Sequence, residues 1–170
     1  REGVNRLVDY QNLAYAERYL QRLMPIERAE LEADGHGELV REAGRYLALW
    51  MSYEDVIRVA QAKLRPERQA RIRRDVGAKP NEPVRIREYL KPGLDEVTAL
   101  MPGWIARPLL AAAESAGWRD RLNIGMTINS TALWGHFLLR FLASMRALRP
   151  FGHRYKSEQV LIDEWLENIT

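Results

Sequence analysis

Between Glu38 and Leu64 apolar residues return at helical spacing: Leu39, Ala43, Tyr46, Trp50, Tyr53, Ile57, Ala60 and Leu64 fall on one narrow stripe. Val40, Leu47 and Met51 widen it on one side, and Leu49 and Val56 on the other. Only a thin arc with Arg41, Arg45, Ser52, Asp55 and Lys63 is left for water. The pattern therefore predicts a central helix over residues 38–64, covered by neighbours around most of its circumference.

The rest of the chain reads as shorter elements around it. Val4, Val8, Tyr15, Tyr19 and Leu23 share one side of a first helix, which Pro25 either kinks or restarts, with a kink the better fit. An acidic stretch follows, and Gly35 and Gly37 supply a stop ahead of the central helix. Pro66 suits the first position of a short basic helix that Gly77 ends. The proline-rich loop over residues 77–93 contains VRIREYL, whose alternation predicts a short extended strand. Two short helices follow, the second disturbed or started by Pro108.

Leu122, Ile124, Met126 and Ile128 alternate in the same way, so the two extended segments are candidates to pair as a ribbon. Asn129 or Ser130 can cap the next helix, whose stripe of Trp134, Phe137, Leu138, Phe141, Met145 and Leu148 is the expected partner of the central helix. After Pro150 and Gly152, Ser157 caps a last helix that packs through Val160, Leu161, Trp165 and Ile169.

Composition narrows the function classes. At 170 residues, 46% hydrophobic and 29% charged, the chain fits one globular domain. No apolar run approaches the roughly 20 residues that span a bilayer, and the first ten residues lack the apolar core of a signal peptide, so a soluble, cytoplasmic protein is expected. Residue 1 is Arg and not Met, which suggests a piece of a longer chain. The absence of cysteine removes disulfides, thiolate nucleophiles and cysteine-ligated metal or iron–sulfur sites.

Charge is concentrated. Lys63–Arg74 holds one Lys and five Arg against one Glu, a balance of +5 within a total of +3, so everything else sums to −2. Such a patch can be a solvated helix face, a contact with another domain or subunit, or a nucleic-acid surface. The last needs aromatic residues between the cations for base stacking, and there are none. The expected partner-contact residues are Arg68, Arg71 and Arg74, with Trp50 and Tyr53 able to reach an interdomain surface.

Chemical motifs are sparse. His36, His136 and His153 have no zinc spacing and read as surface residues, and no glycine-rich phosphate loop occurs. Glu54 falls within the apolar arc, with Arg58 one turn later. The simpler reading is a structural i, i+4 ion pair covering the core edge. The alternative is a general base raised by desolvation, although no nucleophile, metal or second acid accompanies it.

Three stretches, DYQNLAYAERYL at 9–20, YLALWMSYEDVIRVAQAKLR at 46–65 and RIREYLKPGLDEV at 85–97, resemble the C-terminal helical domain of the β-subunit form of indolepyruvate:ferredoxin oxidoreductases. LLRFLASMRALRP and a closing amphipathic helix follow in the expected order; residues 27–37 and 113–125 lie outside the resemblance. It implies an enzyme that oxidatively decarboxylates aryl 2-oxo acids to acyl-CoA and reduces ferredoxin. Thiamine diphosphate and the iron–sulfur clusters would belong to other domains or to the partner subunit, with none in this chain. No catalytic motif of that family carries over to residues here.

The reading is a mainly α single domain with a short ribbon, acting as a non-catalytic accessory domain. Its expected partners are the preceding α/β domain and the thiamine-binding subunit, with no nucleic acid and no membrane. The alternative is an independent helical interaction module that uses the arginine patch at 65–74, and a further rival is an enzyme centred on Glu54.

Overall fold

A computed structural model describes residues 1–99, 101–118 and 125–169. In chain order it shows α1 (Glu2–Tyr10), α2 (Leu13–Glu32), α3 (Glu38–Trp50), α4 (Val56–Leu64), α5 (Pro66–Asp75) and β1 (Arg87–Leu90). Then come α6 (Leu94–Thr98), α7 (Gly103–Ser115), β2 (Met126–Asn129), α8 (Leu133–Ser144), a 3-10 helix (Met145–Phe151) and α9 (His153–Glu167). The mainly α class with one short ribbon is as the pattern predicts. The chain divides into two compact units, a terminal unit of Arg1–Tyr53 with Arg154–Thr170, and a middle unit of Glu54–His153.

Residues 38–64 do not form one helix. Ser52 Oγ donates to Ala48 O at 2.7 Å and also takes a hydrogen bond from Arg6 Nε. Asp55 then caps α4 by accepting from Arg58 N at 2.7 Å. Two local bonds thus end one helix and begin another, and the boundary between the units falls between Tyr53 and Glu54.

The terminal unit is held by an aromatic-rich core of Leu7, Tyr10, Tyr15, Tyr19, Ile26, Leu47 and Met51 from its first three helices, closed by Tyr155, Ile162 and Leu166 of α9. Its first helix is also two: Asn12 Oδ1 accepts from Tyr15 N at 2.9 Å and caps α2, so Leu7 and Tyr10 are buried and Val8 is exposed. Pro25 lies inside α2, which continues to Glu32. α3 turns Ala43, Gly44, Leu47 and Ala48 inward, which leaves Leu39, Tyr46 and Leu49 of the expected stripe exposed.

Tyr19 Oη donates to Gly44 O at 3.1 Å, a contact allowed by the missing side chain at Gly44. Tyr15 Oη donates to Met51 O at 3.0 Å and accepts from Gln159 Nε2 at 3.1 Å; burial pushes this phenol well above its ordinary value. α9 starts at His153, ahead of the expected Ser157 cap, and exposes Val160 and Leu161.

Glu30 links α2 to α3. Its two carboxylate oxygens accept from Leu39 N at 2.9 Å and Val40 N at 2.8 Å. These are amide groups that a helix start leaves without internal partners, and the Val40 bond, with Leu39, holds the carboxyl below its usual range despite burial.

In the middle unit β1 and β2 pair antiparallel, with Glu88 opposite Ile128 and Arg87 opposite Asn129. The ribbon is the one the alternation predicts; Leu122 and Ile124 lie outside the described residues. α8 packs on α4, and Gly135 brings it against β2, where a Cβ would sit 2.0 Å from Asn129 O. Asn129 and Ser130 are not its caps. Asn129 Oδ1 accepts from Thr131 N and Oγ1, and Ala132 is the first cap residue of α8.

Among the described residues, the buried apolar ones of this unit are Ile57, Ala60, Ala99, Ala106, Ala113, Ile128 and Leu139, mostly small. Among the described residues no helix is long and apolar enough to cross a membrane.

Candidate interaction surfaces

α5 begins with Pro66 at its N-terminus, carries Arg68, Arg71, Arg73 and Arg74, and ends in a turn at Gly77, whose φ is 65°. Beside it runs an open groove of about 670 Å³, lined by Lys63, Arg65, Arg68, Arg71 and Arg74, by Glu67 and by Ala62. The three arginines singled out in the sequence therefore share one surface. Arg71 and Arg74 are exposed, and Arg73 turns aside to donate to Lys79 O at 2.6 Å.

Arg68 is anchored by Glu88, the buried residue at the centre of β1. Glu88 Oε1 meets Arg68 Nη2 at 2.7 Å and Oε2 meets Lys63 Nζ at 2.5 Å, with Ser130 Oγ at 3.4 Å. In β1 the exposed Arg87 and Tyr89 flank Glu88, whose side chain faces inward. The inward side chain is a carboxylate because two cations from α4 and α5 converge on it.

Burial alone would raise the Glu88 carboxyl, but the Lys63 hydrogen bond and the Arg68 and Lys63 charges outweigh it and hold it below its ordinary value of 4.5. A lowered carboxyl stabilises the folded chain fully above the unfolded value, and that stabilisation is lost as pH falls through the folded value. Glu88→Gln is therefore expected to cost about 1–3 kcal/mol at neutral pH. The difference from the parent should shrink as pH falls below 4.5. Urea unfolding at a series of pH values checks this; a difference that ignores pH would assign the effect to packing.

A second surface lies on α8. Most of its expected stripe is exposed: Trp134 is 74% accessible, Phe137 62% and Phe141 55%, with Leu148 of the 3-10 helix also exposed, while Leu138 and Met145 are half-buried. The helix has two apolar sides, and it is the one with Gly135 and Leu139 that meets the rest of the unit. Trp134 and Phe137 stack at 6.1 Å between centroids, making a continuous aromatic face. Leu133 and Trp104, 94% and 78% accessible, are further large apolar residues that this unit leaves in solvent.

Trp50 and Tyr53 belong to the terminal unit and are partly buried there. Trp50 Nε1 donates to Glu158 Oε2 at 2.8 Å and its ring lies 5.9 Å from Trp165. Tyr53 packs edge-on to Tyr10, with the Arg154 guanidinium 4.7 Å over its ring. Both rings thus serve packing within the unit. An open apolar groove of about 600 Å³ is lined by Trp50 with Tyr46, Leu49 and Trp165.

Glu54 and Arg58, expected as an i, i+4 pair, do not share one helix. Glu54 is exposed and precedes α4, so the one-turn geometry of a helical pair does not apply to it. The acidic residue that matters is its neighbour: Asp55, assigned to the solvent arc, is buried and bonded to the buried Arg149, Nε to Oδ2 at 2.6 Å and Nη2 to Oδ1 at 3.1 Å. An Asp three residues before Arg58 at a helix start was a visible capping signal, whereas nothing near Arg149 in the sequence announces its partner.

His36 is exposed and His136 and His153 are half-buried; among the described residues no group of three or more His, Asp or Glu is placed to hold a metal ion. No curated protein and no solved structure matches the chain. The chain belongs to a family of unknown function (DUF6537), whose family model matches it over residues 1–170.

Proposed function

We propose that this chain is a non-catalytic assembly domain of an indolepyruvate-type, aryl 2-oxo acid:ferredoxin oxidoreductase subunit, located in the cytoplasm. In this reading the whole enzyme decarboxylates the 2-oxo acid to an acyl-CoA. Thiamine diphosphate and the iron–sulfur clusters are held by other domains or the partner subunit. The chain is a C-terminal piece that docks on the preceding α/β domain or on the thiamine-binding subunit.

The sequence resemblance supplies the enzyme class, and the observation that carries the docking role is the aromatic face of α8. Trp134, Phe137 and Phe141 lie in solvent while the unit's buried apolar residues, among those described, are mostly alanine. A continuous exposed aromatic patch of this kind marks a contact surface, because buried Trp and Phe anchors contribute most of the affinity of an interface.

The test is copurification of the chain with the upstream α/β region and the thiamine-binding subunit, followed by 2-oxo acid-dependent ferredoxin reduction with and without it. Because the three aromatics are exposed, W134S/F137S/F141S should leave the unfolding midpoint nearly unchanged. It should weaken association by at least about tenfold, a loss that removing a single anchor worth roughly 2 kcal/mol already exceeds. Full retention of binding by that variant, or no association by the parent, overturns the reading.

A further inference from the structure

The groove along α5 has a charge pattern that the assembly reading does not use. Arg65, Arg68, Arg71 and Arg74 succeed one another at intervals of three residues, which on a helix is a step of about 4.5 Å along the axis. Lys63 adds a fifth cation, and all five line the same groove. At the inner end of this row Glu88 neutralises Lys63 and Arg68 and fixes those two side chains in place. Arg71 and Arg74 are left exposed at the outer end.

We propose that this groove binds an acidic segment of a protein partner, whose carboxylates repeat at the same one-turn interval and pair with Arg71 and Arg74. Three observations select this occupant. The guanidinium fork matches a carboxylate with two parallel hydrogen bonds, and every groove cation but Lys63 is an arginine.

Glu67 stands within the row. A uniform polyanion such as nucleic acid is repelled at that point, whereas a protein segment can place a neutral or basic side chain there. No aromatic residue lines the groove, so it offers no platform for bases. The inference does not depend on the oxidoreductase assignment, since it rests on the charge and spacing of this unit alone.

The experiment is fluorescence anisotropy of the 170-residue chain with a labelled alanine-based helical peptide carrying glutamate at every third and fourth position. The same peptide with glutamine in place of glutamate and a single-stranded oligothymidylate serve as the other probes. The acidic peptide is expected to bind, with affinity that falls steeply as salt is added. R71A/R74A is expected to weaken binding at least about tenfold, while R28A/R41A, which removes two exposed arginines from the terminal unit, leaves it within about twofold. All four side chains are exposed, so neither variant threatens the fold. The proposal is overturned if the acidic peptide does not bind, if the glutamine peptide binds equally, if both double variants weaken binding alike, or if oligothymidylate binds more tightly.

Discussion

Replacing Arg149 with Met is expected to destabilise the middle unit by about 3–5 kcal/mol, the cost of leaving one member of a buried ion pair without its counterion. Arg149 is 1% accessible and Asp55 5%, so water cannot take over when the guanidinium is removed. The two parallel bonds tie the 3-10 helix after α8 to the residue that caps α4, and Asp55 Oδ1 makes that cap through Arg58 N.

Asp55→Asn keeps a capping oxygen but removes the carboxylate charge that faces the buried Arg149, and is also expected to destabilise the unit. The D55N/R149M double variant removes both charges of the pair. It should recover a large part of the loss, a coupling that a double-mutant cycle in urea measures. If R149M unfolds within about 1 kcal/mol of the parent, the pair is a surface-like contact and the argument fails.

The second large effect is expected at Gly135. An alanine Cβ there would meet Asn129 O at 2.0 Å, Asn129 C at 2.8 Å and Ile128 Cγ2 at 3.0 Å. The first two are backbone atoms of β2, which cannot rotate aside, so α8 or the ribbon must move. We expect Gly135→Ala to cost about 3 kcal/mol or more, at the upper end for overpacking.

Gly44→Ala provides the contrast. Its nearest atoms are the Tyr19 hydroxyl at 3.0 Å and Leu23 Cδ1 at 3.3 Å, both on side chains that can adjust. It should cost clearly less, even though it disturbs the Tyr19 bond to Gly44 O. Thermal and urea unfolding of the two variants side by side check the order. Equal midpoints would show that the ribbon yields as easily as a side chain.

Several features were legible because they are local. Pro66 starts α5 and Gly77 follows its end, since proline lacks the amide the first turn does not use and glycine tolerates the left-handed backbone there. The alternations around residues 84–90 and 126–128 mark the two strands, because side chains on a strand face opposite sides in turn. The breaks at Asn12 and Asp55 were also written in the sequence as capping residues, but the apolar stripes running across them gave the stronger signal and hid them.

The candidate surfaces divide in the same way. That Arg68, Arg71 and Arg74 lie together follows from their spacing on one helix. That Arg68 is held by Glu88 does not, because the partner comes from a strand that only the ribbon brings back to α5. The aromatic stripe of α8 was visible as apolar, yet periodicity says that a face is apolar and not whether anything covers it. With apolar residues on two sides, α8 has one face against α4 and the other in solvent.

By itself, then, the sequence determined the helical class, the positions of the ribbon and the basic helix, and the local charge, all properties of neighbouring residues and their backbone preferences. Only the tertiary structure decided which face of each helix is buried, that Arg149 reaches Asp55, and that Glu88 gathers Lys63 and Arg68. Those outcomes depend on groups far apart in the chain, whose charges and volumes must be matched in space before burial becomes favourable.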